Sequence, residues 1–381
     1  MMVTNRIDPE NPLPLYYQVY RSLIERIEAG EFSEGTPLPP ERQLAEDYSV
    51  SRITITKALA ELKREGRIKG QVGRGTFVTQ PSIQIGKSGI KRTPNSVSFI
   101  CRLISHPHMG MIMSGIAHVA EQHACYLQVI SSYENQGQYP ELQDLATAVG
   151  SSARGAIIYL GGGDAYRMLC ASLQEQGIPI VLVERYHPSI IADRVVFNEE
   201  EAAYTLTKNL IEQGHTRIAV AVPQFDITNS TIRERLVGYR HALKEFDLPY
   251  DEDLVWMDLD VAYYLAEDPN EVREATYRRL WKQIARNKAR ALLALNPDIA
   301  NIITQQPPPD EVSLSIATFG YIEPPPFTAY PMVVAVHPSE EIGRISARLL
   351  FDRMSGAVTG APVTVTVPMT IVTRAVEDMT V

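Results

Sequence analysis

Residues 36–78 read TPLPPERQLAEDYSVSRITITKALAELKREGRIKGQVGRGTFV, and this stretch decides the architecture of the N-terminal part of the chain. Ile55, Ala58, Leu59 and Leu62 fall at i, i+3, i+4 and i+7, on one buried stripe of a helix from about Ser51 to Glu65. Ser51 is a good N-cap for it. Tyr48-Ser49-Val50 leave room only for a sharp turn from a preceding helix. Arg52, Thr56 and Lys63 then occupy another face, with Lys57 near it. Beyond the helix, Arg67-Ile68-Lys69 and Thr76-Phe77-Val78 flank Gly73-Arg74-Gly75. The glycines supply the positive φ of a tight hairpin and leave Arg74 at its tip. Helix, turn, helix and two-stranded wing form an arrangement that enters a DNA groove. Arg52 and Thr56 would meet base edges and phosphates, and Arg74 a minor groove or a phosphate. A helical hairpin used for protein contacts is the alternative.

The pattern extends outward. Pro14-Leu15-Tyr16-Tyr17-Gln18 opens a helix whose Val19, Leu23, Ile24 and Ile27 give an apolar face, ending at Gly30. Pro-Leu-Tyr-x-Gln, Gly-x-x-Leu-Pro-x-Glu-Arg-x-Leu-Ala, Val-Ser-Arg-x-Thr, Ala-Leu-x-x-Leu, Glu-Gly and Gly-x-Gly-Thr-Phe-Val follow in order over residues 12–79. In this the segment resembles the GntR family of bacterial winged-helix regulators. The resemblance implies DNA contacts at Arg42, Arg52, the position of Thr56, and Gly73, Arg74, Gly75 and Thr76. Ser51, Thr54 and Lys57 beside them complete the candidate DNA-binding set. Two residues depart from the family: Thr56 stands where a second arginine is usual, and Pro40 where a capping serine is usual. The operator sequence is therefore not taken from the family consensus.

With 381 residues and 45% hydrophobic content, the chain can build two or three folded units. Cys101, Cys125 and Cys170 are odd in number and lack C-x-x-C spacing, which points to reduced thiols in a cytoplasm and away from a disulfide framework or a zinc site. The polar, proline-rich start does not read as a signal peptide, and no apolar run reaches the ~18 residues of a membrane span. The net charge is −9. Residues 1–80 carry 11 basic and 11 acidic side chains, Lys87, Lys91 and Arg92 follow without acids, and residues 96–381 carry 22 against 34. Acid is thus segregated from the reader head, where local charge sets phosphate attraction.

Residues 80–95, QPSIQIGKSGIKRTPN, have no helical period and read as a linker of roughly 20 Å mean span. Lys87, Lys91 and Arg92 there either touch phosphates or are simply solvated. From residue 96, short runs alternate with helical stretches: SVSFICRL, YLQVIS, GAIIYL, PIVLVE, RVVFN, RIAVAV, ARALLAL, LSIATFG, MVVAV and VTVTV. Near-continuous Val, Ile and Leu mark strands covered on both faces, and strand–helix alternation marks parallel sheets with right-handed crossovers. The fold class is α/β: a winged helix-turn-helix over 1–79, then a two-lobed, doubly wound unit over 96–375. Lobe 1 is expected at about 96–195 and 325–356, and lobe 2 at about 196–324 and 357–375. Ligands bind such folds outside the carboxyl ends of strands, here the interlobe cleft.

Gly177-Ile-Pro-Ile-Val-Leu-Val-Glu-Arg, Leu210-Ile-Glu-Gln-Gly-His-Thr-Arg-Ile-Ala, Arg233-Glu-Arg-Leu-Val-Gly-Tyr, Leu295-Asn-Pro-Asp and Val336-His-Pro-Ser-Glu-Glu-Ile-Gly are similar to the effector domain of LacI-type repressors, which has the type I periplasmic-binding-protein fold. A winged-helix head on such a body occurs in the arabinose repressors of bacilli. The resemblance places Arg235 at the family's ligand arginine, Glu184 at its acidic position after the fourth run, and His337 at a family glutamine. His108 stands where an aromatic often stacks on a sugar, and Asn296 offers a donor and an acceptor at a strand end. It implies a homodimer, a double-stranded DNA operator, a small polar effector of carbohydrate type, and no cofactor.

Two features pull against a sugar clamp. The family's Gly-Phe-Asp-Asp is Thr318-Phe-Gly-Tyr, without the aspartate. The helix after Asn296 is cut short by the prolines at 307–309, which puts the usual dimer contact in doubt. A ligand-independent regulator whose rear domain only dimerises is therefore the alternative. Tyr159-Leu-Gly-Gly-Gly-Asp lacks both phosphate-loop patterns and reads as a strand-to-helix turn. No nucleophile–base set points to an enzyme.

Overall fold

The computed structural model describes residues 15–28, 30–33, 35–64, 67–71, 75–79, 95–101, 106–131, 145–146, 149–150, 152–161, 164–223, 230–259, 268–304, 313–320 and 330–374. The chain divides into two compact units, residues 1–88 and 89–381. The linker basic residues Lys87, Lys91 and Arg92 and the proline runs at 307–309 and 324–326 lie outside the described residues.

The first unit holds helices α1 (Leu15–Glu28), α2 (Glu41–Tyr48) and α3 (Arg52–Arg64), then the hairpin β1 (Ile68–Gln71) and β2 (Gly75–Val78). Val19, Leu23 and Ile27 of α1 meet Leu44, Ile55, Ala58, Leu59 and Leu62 in one core, as their helical spacing requires. Ser49 at φ 54° makes the turn between α2 and α3, and the Ser51 hydroxyl caps α3 by accepting the Thr54 N–H at 3.1 Å. Pro40 precedes α2 without any side-chain cap. The wing has a third element that its sequence hides. Leu38 donates its N–H to the Thr76 carbonyl at 2.8 Å, Val78 donates to that of Thr36 at 2.9 Å, and Pro37 pairs antiparallel with Phe77. Prolines at 37, 39 and 40 mask this strand-like stretch, because residues without an N–H read as loop.

The second unit has two six-stranded sheets. One contains β3 (Ser96–Cys101), β4 (Tyr126–Ser131), β5 (Ala156–Ile158), β6 (Ile180–Val183), β7 (Asp193–Phe197) and β13 (Thr364–Val367), in the order β4-β3-β5-β6-β7-β13, all parallel. Helices α4 (Pro107–Gln122), α5 (Asp164–Glu175) and α10 (Ser339–Ser355) cover it. The other contains β8 (Ile218–Pro223), β9 (Val255–Leu259), β10 (Ala291–Ala294), β11 (Ser315–Phe319), β12 (Met332–Val336) and β14 (Thr370–Arg374), in the order β9-β8-β10-β11-β12-β14. Helices α6 (Glu199–Glu212), α7 (Ser230–Glu245), α8 (Pro269–Asn287) and α9 (Pro297–Thr304) flank it. The central strands are buried along their whole length, as their unbroken aliphatic runs require. All three cysteines are buried, and burial pushes the thiol of Cys101 up to about 11 and that of Cys170 up to about 12.

The lobe boundaries differ from the sequence reading at two strands. β12, expected in lobe 1, pairs with β11 in lobe 2, and β13, expected in lobe 2, pairs with β7 in lobe 1. The chain therefore crosses between lobes on either side of α10, after β12 and after β13. MVVAV and VTVTV are both good strands, and nothing in a short run says which sheet it will join; pairing with distant strands decides. β9 and the antiparallel β14 were not anticipated either.

Candidate effector cleft and DNA-reading face

Three connections join the lobes: β7 to α6 through Asn198, β12 to α10 through His337 and Pro338, and β13 to β14 through Pro368 and Met369. Met369 packs against the cores of both lobes. The carboxyl ends of the strands face this hinge, and the candidate ligand residues gather there.

His108 enters from the first turn of α4, where the His106 ring accepts its backbone N–H. Its Nε2 bonds a Glu184 oxygen, and its Nδ1 lies 2.7 Å from the Ser339 hydroxyl at the start of α10. Glu184 follows β6 with φ 64°, a conformation an L side chain adopts only when its surroundings demand it. Its backbone N–H is held by the Val195 carbonyl at 2.8 Å, and its second oxygen accepts from the Tyr159 hydroxyl at 3.2 Å. Burial opposes ionisation of Glu184. His108, by charge and hydrogen bond, with the charge of Arg185, outweighs burial and holds the carboxyl well below the usual carboxylate range.

His337 lies on the second crossing. Its ring stacks on Phe197 of the other lobe (4.6 Å between centroids, 10° between planes) and stands 5.3 Å from the His108 ring. Burial, with the positive neighbours His108 and Arg235, pushes its ionisation well below the ordinary histidine value. Its neutral Nε2 lies 3.2 Å from Arg235 Nη2 and accepts from it, which leaves the ring proton on Nδ1. Arg235, on α7, is 4% exposed. Its Nε and Nη2 fork Glu199 at 2.6 and 3.0 Å, its Nη1 donates to the Leu295 carbonyl at 2.6 Å, and its plane lies 3.9 Å from the Phe319 ring. Asn296, next to Leu295, uses its Oδ1 to accept the Asp298 N–H at 2.6 Å and so caps the short α9. At Gly320 (φ +83°), which takes the place of an acidic residue in the family motif, a Cβ would stand 3.4 Å from His337 Nδ1.

A second link spans the lobes at the cleft rim. Tyr186, just beyond Glu184, donates its hydroxyl to Glu234 at 2.6 Å and accepts from Arg233 at 3.0 Å, and its backbone N–H donates to the Ser230 hydroxyl at 3.0 Å. Its ring lies 4.0 Å from the guanidinium of Arg194 in its own lobe and 5.5 Å from that of Arg233 in the other.

In the first unit the exposed side of α3 presents Arg52, Ile53, Thr56, Lys57 and Ala60. Arg52 is 4.0 Å from Glu41, and the Thr56 hydroxyl has two acceptors for its one proton, Glu41 at 3.2 Å and the Arg52 carbonyl at 3.0 Å. The Ser51 and Thr54 hydroxyls bond each other at 2.8 Å within the cap. Arg42 is paired with Glu46 at 3.1 Å on the exposed side of α2. Gly75 (φ +107°) and Thr76 open the second strand of the wing, while Gly73 and Arg74 lie outside the described residues.

Residues 15–78 match the model of the gntR family of bacterial regulatory proteins. Residues 94–260 match that of periplasmic binding proteins and the sugar-binding domain of the LacI family, and 207–375 that of a periplasmic binding protein-like domain. Residues 15–78 thus form a gntR-type head, and residues 94–375 a LacI-type periplasmic-binding body. The chain is similar to the arabinose metabolism transcriptional repressor of Geobacillus stearothermophilus, 25% identical over 90% of this chain and 92% of its own. The fold matches that of the transcription regulator CcpA of Lactococcus lactis (TM-score 0.59, 20% identity, 74% of this chain and 98% of that one). It also matches the regulator CelR in its cellobiose complex (TM-score 0.58, 21% identity, 88% and 98%).

The structure joins four of the five sequence-derived cleft residues, His108, Glu184, Arg235 and His337, into a network across the hinge; Asn296 is tied instead to its own helix. Sequence reading missed Glu199, Ser339, Tyr159 and Tyr186. Glu199 opens an acidic run, Glu199-Glu200-Glu201, that reads as ordinary helix N-terminal charge. Tyr186 stands two residues after Glu184, and that proximity was the only available signal.

Proposed function

We propose that this chain is a DNA-binding transcriptional regulator, a repressor, whose operator affinity is set by a small polar ligand of sugar type in the interlobe cleft. One observation carries the reading: ionisable side chains of both lobes meet at the three-strand hinge, where a ligand between the lobes would act directly on their closure. Arg42, Ser51, Arg52, Thr54, Thr56, Lys57 and Gly73 to Thr76 would hold DNA, and His108, Glu184, Arg235, Asn296 and His337 the effector. A homodimer reads two half-sites in the cytoplasm, without catalysis. The effector favours one lobe arrangement, and the population shift between arrangements of different DNA affinity is the switch. The role of the similar arabinose metabolism repressor supports the sugar class.

A second reading has its own support: the Arg235 fork is already engaged by Glu199, Leu295 and His337. On that reading the body only dimerises and DNA binding is constitutive. Thermal-shift screening against monosaccharides, sugar acids and nucleosides decides. An effector at 100 times its Kd stabilises the protein by ~2.7 kcal/mol. A panel with no shift, and operator binding unchanged by every member, would favour the second reading.

A further inference from the structure

We infer that Ile53 is a base-reading residue, recognising the C5-methyl group of a thymine in the major groove of the operator. The inference rests on the reading of α3 as a recognition helix, and it concerns a residue outside the DNA-contact set proposed above. Ile53 is 72% exposed, and among the described residues of the first unit it is the one large aliphatic side chain left in solvent. At 100° per residue it points about 180° away from the buried stripe of Ile55, Ala58, Leu59 and Leu62, so the core has no use for it. A β-branched residue also forms helix less readily than alanine or leucine, so helix propensity gives no reason for it either.

A lone exposed aliphatic is ordinary on a protein surface. What sets this one apart is where it stands and what its neighbours do. It is the second residue of α3, in the turn of a recognition helix that approaches base edges. The hydroxyls around it are already bonded: Thr56 to Glu41 and to the Arg52 carbonyl, Ser51 and Thr54 to each other. Thr56 is therefore not poised to read a base as an arginine would. Seven residues on, Ala60 continues the same exposed line. The face thus offers methyl groups flanked by the charges of Arg52 and Lys57. In the major groove only thymine presents a methyl group among the four bases, so an aliphatic side chain there has one favourable partner.

The test uses the full chain. Operator DNA is selected from a random-sequence library with wild-type protein. Each thymine is then replaced singly by deoxyuridine, which removes the methyl and leaves pairing intact, and Kd is read by fluorescence anisotropy at fixed salt. At one thymine per half-site, wild-type protein should lose about fourfold in affinity, the worth of one buried methyl group. Ile53→Ala should bind more weakly and be indifferent to that replacement, and Ile53→Val should keep most of the sensitivity. Indifference of wild-type protein at every thymine, or an equal loss in Ile53→Ala, would overturn the inference while leaving DNA binding intact. Failure of the library to enrich any sequence would overturn the recognition-helix reading, and this inference with it.

Discussion

Replacing Arg235 with methionine strips Glu199 of the two bonds at 2.6 and 3.0 Å that neutralise it, and leaves a carboxylate that is 1% exposed inside lobe 2. Removing one partner of such a buried pair costs about 3–5 kcal/mol, mostly because the remaining charge is desolvated and unpaired. Against a typical total of about 5–15 kcal/mol this is a large share. For a domain of this size it corresponds to a fall in Tm of roughly 6–20 °C. The assay is built in, since the two tryptophans, Trp256 and Trp281, are both packed in lobe 2, so intrinsic fluorescence follows its unfolding. Glu199→Leu should cost a similar amount. The double variant Arg235→Met with Glu199→Leu replaces the pair with apolar groups and leaves the Leu295 carbonyl and His337 Nε2 without their donor, as Arg235→Met alone also does, at about 1–3 kcal/mol each. The double variant should therefore be more stable than Arg235→Met alone. A double variant as unstable as the sum of the singles would refute the coupling, and with it the claim that Glu199 holds Arg235 in place at the hinge.

The His337 site should make the body acid-sensitive. Its folded ionisation is depressed, so between the ordinary histidine value and its folded value the unfolded chain binds one more proton than the folded one, and stability falls as pH drops below about 6.5. The slope from this group is roughly 1 kcal/mol per pH unit, and denaturant titrations from pH 7 to 5 should show it flattened in His337→Gln. Tyr186→Phe removes charge-assisted bonds to Glu234 and Arg233 worth about 1.5–3 kcal/mol between the lobes. Small-angle scattering should then show a larger radius of gyration for the variant; an unchanged profile would mean the link does not hold the lobes together. Gly238→Ala places a methyl group inside the contact radius of the Glu200 carbonyl, a backbone atom of α6. It should destabilise lobe 2 by about 1–3 kcal/mol by prising α6 from α7, and an unaltered Tm would show that the crossing is looser than described.

How much of this could be read in advance depended on range. The α3 stripe and the Ser51 cap are local, set by spacing within a dozen residues, and they were legible. So were the central strands, whose aliphatic runs announce burial on both faces. Membership of β12 and β13 was not, because VTVTV joins β7 across more than 160 residues and its own letters carry no trace of that partner. The same holds for the cleft. Glu184, His108, Arg235 and His337 were found through a resemblance of motifs, but what each side chain touches was not. The fork of Arg235 faces Glu199, and Tyr186 reaches across to Glu234, because folding brings α6, α7 and the end of β6 to one hinge. Pro37, Pro39 and Pro40 hid a strand-like stretch at 36–38 for the opposite reason: its pairing with β2 uses the N–H groups of Leu38 and Val78 and needs none from the prolines.

The most direct test of the account is the binding of selected operator DNA by wild-type protein and by Arg52→Ala over a range of salt concentrations. Arg52 is exposed at the N-terminal end of α3, 70% by side chain, so its removal leaves the core untouched. Affinity should fall steeply with salt for wild-type protein, and Arg52→Ala should lose about 1–3 kcal/mol at fixed salt. Equal affinities for the two proteins, or binding indifferent to salt, would contradict it.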